Sequence, residues 1–217
     1  MKYEAIIFDM DGTLLDTLVD IANSVNSVLE KNGFPTHDPE AFRYLVGDGV
    51  RKLMDRIIPK ENRDEATVGR CMKEYSEIYH ENFNMTTQPY KGVPEMLDGL
   101  TERRIKKSIL SNKPDDFTRK CVDEFLSRWE FETIMGHHDT IPLKPDPAGA
   151  LFIARKMDIE PDHFLYLGDT GVDMRTAVNA RMFPVGALWG FRTEDELIKN
   201  GAKALIKEPY EIFRLLD

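Results

Sequence analysis

Residues 5–13 read Ala-Ile-Ile-Phe-Asp-Met-Asp-Gly-Thr. An apolar run ends on two carboxylates, Asp9 and Asp11, one residue apart. Like charges this close repel, so something must offset them. Further polar groups of defined type recur downstream: Ser111-Asn112, Lys144 before Pro145, and Asp169 with Asp173. Carboxylates at 9, 11 and 169 are hard oxygen ligands that suit Mg²⁺ with waters kept in its shell. A divalent cation makes crowded carboxylates tolerable and keeps them ionised. A carboxylate can also attack phosphorus as a nucleophile, forming an aspartyl-phosphate. Phosphoryl transfer asks mainly for positioning and for neutralisation of charge on the phosphoryl oxygens. The Ser111 hydroxyl, the Lys144 ammonium and nearby backbone N–H groups can supply that. Gly12 lets the backbone approach a phosphate closely. The D-x-D-G spacing shares the start of a calcium loop, but Thr13 and Leu14 break that template.

These groups become a site only if the fold gathers them. Residues 4–8 have the length and apolar character of a buried strand. Leu18, Ile21, Ala22, Val25, Val28 and Leu29 follow helical spacing, and Asn32-Gly33 stop the helix. From about 38 to 84 the chain is charged and helical in character, and no strand is expected between 16 and 84. After Pro89 the texture changes. Strand-like stretches at 105–110, 131–135, 164–167, 183–187 and 202–206 alternate with helical ones at 116–126, 147–157 and 173–180. Such alternation implies βαβ units and a parallel sheet. The expected fold is α/β: a Rossmann-like parallel-sheet core from residues 1–15 and 85–217. A small all-helical cap domain, 16–84, is inserted after the first strand. In an open parallel sheet, ligands bind beyond the carboxyl ends of the strands. Asp9, Ser111 and Asp169 each follow a predicted strand, and Lys144 precedes a helix, so all four fall on one edge.

Composition narrows the function further. The chain has 217 residues, 41% hydrophobic and 31% charged, with a net charge of −9. No basic footprint points to nucleic acid. No apolar run approaches the roughly 18 residues of a membrane helix. The first residues show neither the apolar region nor the cleavage site of a signal peptide. Cys71 and Cys121 are far apart, without a partner motif. A cytoplasmic setting with two ordinary packed thiols is expected. An acidic chain that handles an anionic substrate needs a local counterweight, either a metal ion or a few placed Lys and Arg.

The motifs "FDMDGT" (8–13), "LSNKP" (110–114), "LKPDP" (143–147) and "LGDTGVDM" (167–174) resemble, in this order, those of the haloacid dehalogenase superfamily. The resemblance implies Asp9 as nucleophile. It implies Asp11 as the acid that protonates the leaving alcohol and then the base that activates water, its backbone carbonyl also reaching Mg²⁺. It makes Asp169 a metal ligand and Asp173 a metal support. Ser111 and Lys144 would hold phosphoryl oxygens with Asn112 close by, and Met10 would be a packing spacer. Within the superfamily, "YLVGDGVRKLMDR" (44–56), "PYKGVPEML" (89–97) and "ALWGFR" (187–192) look like phosphoglycolate phosphatases. That likeness implies a small phosphorylated metabolite as substrate, with Arg51 or Lys52 of the cap facing its anionic tail. A phosphoglucomutase-type phosphotransferase on the same scaffold is the alternative. A dehalogenase normally lacks an equivalent of Asp11. A receiver-like domain that only stores phosphate on Asp9 needs no cap. Two departures stand out: Thr170 where Ser is common, and Arg181 where a helix-ending Gly is usual. His137-His138 are expected in a solvated loop.

Overall fold

The computed structural model describes residues 3–216. Strand β1 (Ala5–Phe8) is buried along its whole length. Its side chains alternate between two cores. Ile6 and Phe8 pack into one, Ala5 and Ile7 into the other. A strand apolar on both faces needs helices on both faces, which is the condition for a parallel sheet. Five further strands pair with it in parallel: β4 (Lys106–Pro114), β5 (Thr133–His137), β6 (Phe164–Gly168), β7 (Phe183–Ala187) and β8 (Ala204–Ile206). The order is β5-β4-β1-β6-β7-β8. The chain builds outward from β1 on one side, then returns and builds outward on the other. β1 is therefore the point where strand order reverses and a crevice opens at the carboxyl ends. The α/β parallel-sheet architecture is the one expected from the sequence.

Helices α1 (Leu18–Lys31), α2 (Phe42–Leu45), α3 (Val50–Ile57) and α4 (Glu65–Asn82) lie between β1 and the rest of the sheet. One detail departs from expectation. Leu15–Asp16 forms a two-residue strand, β2, antiparallel to β3 (Gln88–Pro89). So Asp16 is in a strand where none was expected. Two residues are too short for any period to show. Asp20 binds the two connections together. Its carboxylate accepts from the backbone and hydroxyl of Thr86 at 2.7–3.0 Å, and from those of Thr87 at 2.9 and 2.8 Å. α5 (Val93–Glu102), α6 (Asp115–Phe125), α7 (Ala148–Met157), α8 (Gly171–Asn179) and α9 (Glu194–Lys199) cover the sheet; α9 carried no periodic signal long enough to read. No helix is long and apolar enough to cross a membrane among the described residues. Both cysteines are buried free thiols.

Just beyond helix α8 and its C-cap Ala180, Arg181 sits at φ +60°, the left-handed region that costs a side chain roughly 1–2 kcal/mol. Arg181 N–H donates to Val178 O and Met182 N–H to Ala177 O, a turn that favours glycine. Arg181→Gly is expected to raise unfolding free energy by about 0.5–1 kcal/mol, since relief of strain exceeds glycine's added unfolded-state entropy; urea melts measure it. A second expectation concerns Asp20. Burial opposes its charge, but the donors of Thr86 and Thr87 outweigh burial and hold its pKa below the ordinary carboxylate range. A depressed folded-state pKa contributes stability above the unfolded value and loses it as pH falls through the folded one. The deficit of Asp20→Asn should be about 1–3 kcal/mol near neutrality. It should shrink below about pH 4, as paired melts across that range would show.

Candidate active site

Asp9 follows β1 directly and its N–H donates to Leu167 O of β6 at 2.9 Å, so the strand pairing itself aims it. The chain then folds back tightly: Leu14 and Leu15 N–H groups donate to Met10 O, and Met10 is fully buried as a spacer. Gly12 sits at φ +84°, and a Cβ there would lie 2.3 Å from Asp169 Oδ2. Only glycine lets this loop press against that carboxylate.

Four buried charges meet here. The Lys144 ammonium contacts Asp9 Oδ1 at 2.8 Å and Asp173 Oδ1 at 2.7 Å. Asp173 Oδ2 accepts from Thr170 N–H and Oγ1, while Thr170 caps α8 through Asp173 N–H. Asp169 is fully buried, accepting from Thr13 Oγ1 at 2.9 Å and from Phe191 N–H at 2.8 Å. Thr170 thus does the capping that the commoner Ser would do. Asp9, Asp169 and Asp173 each offer an oxygen, all within 4.8 Å of one another. Burial and then the Asp173 charge raise the Asp9 pKa well above normal, against the pull of Lys144. Burial and Asp173 lift Asp169 to about 7. Burial also opposes the charge on Lys144, but Asp173 and Asp9 outweigh it and raise its pKa. One lysine does not neutralise three buried carboxylates. An all-oxygen set this crowded fits a hard divalent cation.

The Asp11 side chain points elsewhere. It accepts from Thr17 Oγ1 at 2.8 Å and pairs with Lys113 Nζ at 2.9 and 3.1 Å. Lys113 is buried, with its ammonium 4.7 Å from the centre of the Tyr79 ring. Sequence reasoning assigned Lys113 no role, although it stands inside the "LSNKP" motif. It also missed Thr13 and the 189–191 loop, where Trp189 Nε1 donates to Thr13 O at 3.0 Å.

Ser111 and Asn112 end up at the same edge, with different parts to play. Ser111 Oγ lines the cleft and accepts from Lys113 N–H at 3.2 Å. Asn112, expected beside the phosphate-binding groups, has its amide committed to backbone: Nδ2 donates to Gly47 O and Lys144 O, and Oδ1 accepts from Lys144 N–H. It braces the site. Arg51 is not brought to the cleft. It pairs with Glu65 at 2.8 Å and Asp55 at 3.4 Å on the exposed side of α3. Lys52 faces Asp48 at 3.9 Å. His138 Nδ1 lies 2.7 Å from Thr140 Oγ1, apart from the carboxylates.

The cleft lies between the strand ends and helices α3 and α4, and leaves about 50 Å³ free. Two arginines cross the seam beside it. Arg43 donates to Gly190 O at 3.1 Å and Arg192 to Val46 O at 3.0 Å.

Comparison with known proteins places this arrangement. The model of the haloacid dehalogenase-like hydrolases matches residues 6–187. The chain belongs to that family of hydrolases, and it is a phosphatase-type member. A phosphoglycolate phosphatase of Aquifex aeolicus is 28% identical, covering 98% of this chain and 96% of the relative. One from Pseudomonas syringae pv. tomato is 32% identical over 86% of this chain and 70% of its own. An N-acetylmuramic acid 6-phosphate phosphatase of Pseudomonas aeruginosa is 26% identical over 100% and 96%. Among solved structures, a phosphoglycolate phosphatase candidate from Lactobacillus delbrueckii superposes with a TM-score of 0.93. It is 26% identical and covers 100% of this chain and 99% of that one.

The raised Asp169 pKa predicts how metal and pH interact. With a folded-state pKa near 7, Asp169 contributes most to metal-free stability at low pH and progressively less as pH rises toward 7. A divalent cation such as Mg²⁺ held by Asp169 would have to displace that proton, so its stabilisation should grow across the same interval. Melting temperatures with Mg²⁺ or with chelator should diverge more at pH 8 than at pH 6; an equal gap at both would refute the assignment.

Proposed function

We propose that this chain is a Mg²⁺-dependent phosphomonoesterase acting through an aspartyl-phosphate on Asp9. The substrate class is a small phosphorylated metabolite of the phosphoglycolate type. Residues 16–84 serve as the cap and 1–15 with 85–217 as the catalytic core. The supporting observation is the convergence of a nucleophile, an acid–base group and cations at the point where strand order reverses. Asp9 and Asp11 arrive there from the end of β1, Ser111 from β4 and Lys144 from the loop before α7.

In the proposed reaction an Asp9 carboxylate oxygen attacks phosphorus. The bond from phosphorus to the leaving alcohol breaks, and Asp11 gives its proton to that oxygen. Water then attacks the acyl phosphate. Asp11 takes the water's proton, the bond from phosphorus to Asp9 breaks, and inorganic phosphate leaves. Lys144 and Ser111 hold phosphoryl oxygens, while Asn112 keeps the 111–113 and 144 segments in register. The side chains of Asp9 and Asp169 and the Asp11 carbonyl would hold the metal, with Asp173 behind them. When bound, Mg²⁺ supplies charge neutralisation for the phosphoryl oxygens and the crowded carboxylates. Lys113 and Thr17 hold the Asp11 carboxylate at the cleft wall, tying the acid–base group to the connection that leads into the cap.

Incubation with 2-phosphoglycolate and Mg²⁺ should release inorganic phosphate rather than move the group to another hydroxyl. Asp9→Asn should abolish release, and Asp11→Asn should lower kcat by about 10²–10⁴. Intact-mass analysis of quenched wild-type enzyme should show one added phosphoryl group, absent in Asp9→Asn. Full activity in Asp9→Asn would overturn the reading.

A further inference from the structure

We infer that the cap recognises an anionic, carboxylate-like group at the substrate's non-reacting end through the N-terminus of α3 and the Tyr75 hydroxyl. No cationic cap side chain takes part. This rests on the phosphatase reading above and deepens it.

The cap lines the cleft with glycine, aliphatic side chains and one polar side chain, Tyr75. Arg51 and Lys52, which the family likeness offered for the purpose, face acidic neighbours outside the cleft. What faces the cleft instead is the start of α3: Gly49, Val50 and Leu53 line it. The N-cap is Gly49, which has no side chain to cap the helix. The preceding carboxylate, Asp48, is turned to Arg56 and Lys52 rather than to the helix. The first N–H of α3 to find a backbone partner is that of Leu53, which donates to Gly49 O at 3.1 Å. The N–H groups of Val50, Arg51 and Lys52 have no partner among the described residues. Free N–H groups at a helix start, aligned with the helix dipole, form a site for an anion.

Tyr75 is the independent sign of a ligand. It projects from α4, a different element, and lines the same cleft. It is 4% exposed, and its hydroxyl has no hydrogen-bond partner among the described residues. The ring is buried and the hydroxyl is left to the cleft, where a bound acceptor would complete it. Its ring stacks on Tyr79 with centroids 5.4 Å apart, which fixes its direction. Burial raises its pKa far above normal, so it stays a donor throughout the working range. The hydroxyl and the α3 N–H groups are all donors without acceptors. A carboxylate one carbon from the phosphoester oxygen satisfies them, while a methyl group does not and an ammonium is repelled.

The test compares three esters of similar size in Mg²⁺: 2-phosphoglycolate, ethyl phosphate and O-phosphoethanolamine. The expected order of kcat/KM is that order. The ratio of phosphoglycolate to ethyl phosphate should be tenfold or more, about what one hydrogen bond to a charged group provides. Tyr75→Phe should lower this ratio about tenfold, mainly through KM. Val50→Pro deletes one α3 N–H at a position where proline suits a helix, and it should do the same. Turnover of all three esters without preference, or a ratio unmoved in Tyr75→Phe, overturns the inference and leaves the phosphatase reading intact. Should none be turned over, that reading falls and calorimetry on Asp9→Asn protein decides this one. Tighter binding of phosphoglycolate than of ethyl phosphate, weakened by Tyr75→Phe, supports it, and equal binding refutes it.

Discussion

Everything in this molecule turns on holding like charges together out of water. Asp9, Asp169 and Asp173 are buried, with ligand oxygens within 4.8 Å of one another. Isolated buried carboxylates are costly and tend to take up protons. The protein answers with one ammonium, Lys144, placed between two of them, and with N–H and hydroxyl donors for the rest. That compensation is incomplete, as the raised pKa values of Asp9 and Asp169 show. A site with this residual negative charge is poised for a cation.

The surrounding fold is arranged to keep that charge cluster tight. β1 supplies the shortest route to the sheet's edge, and its partners β4 and β6 deliver Ser111 and Asp169 beside Asp9. Small residues close the cradle. A Cβ at Gly168 would meet Asp173 at 2.3 Å, and one at Gly190 would meet Asp169 at 2.2 Å. The helical insert is joined to this centre by polar threads as well as by packing. Asn112 bonds to Gly47 O, Thr17 to Asp11, and the two arginines cross the seam at Gly190 and Val46. Any shift of the insert therefore reaches the groups around the reacting atoms.

Much of the core was legible from residue types alone. Buried parallel strands are short apolar runs, and helices between them carry a 3.6-residue period, so β1, β6, β7 and α7 can be located almost to the residue. Elements without enough length for a period were not legible: β2, β3 and α9. The candidate catalytic carboxylates could be nominated because each follows a strand. Lys113 could not, because nothing in the local pattern says which way a lysine near a strand end will turn. Arg51 shows the converse. The family likeness made it the expected anion ligand, but on an exposed helix face Glu65 and Asp55 are nearer partners.

The sequence by itself determined the chemistry: which residues can attack, carry a proton, hold a metal or neutralise a phosphate, and the family they belong to. Those properties reside in side-chain type and in order along strands, which are local. Only the tertiary structure decided the partnerships. It placed Lys144 between Asp9 and Asp173, gave Asp11 to Lys113, spent Asn112 on backbone, and turned the bare start of α3 and the Tyr75 hydroxyl toward the cleft. Partnerships depend on distances between segments far apart in the chain, and packing alone sets those distances.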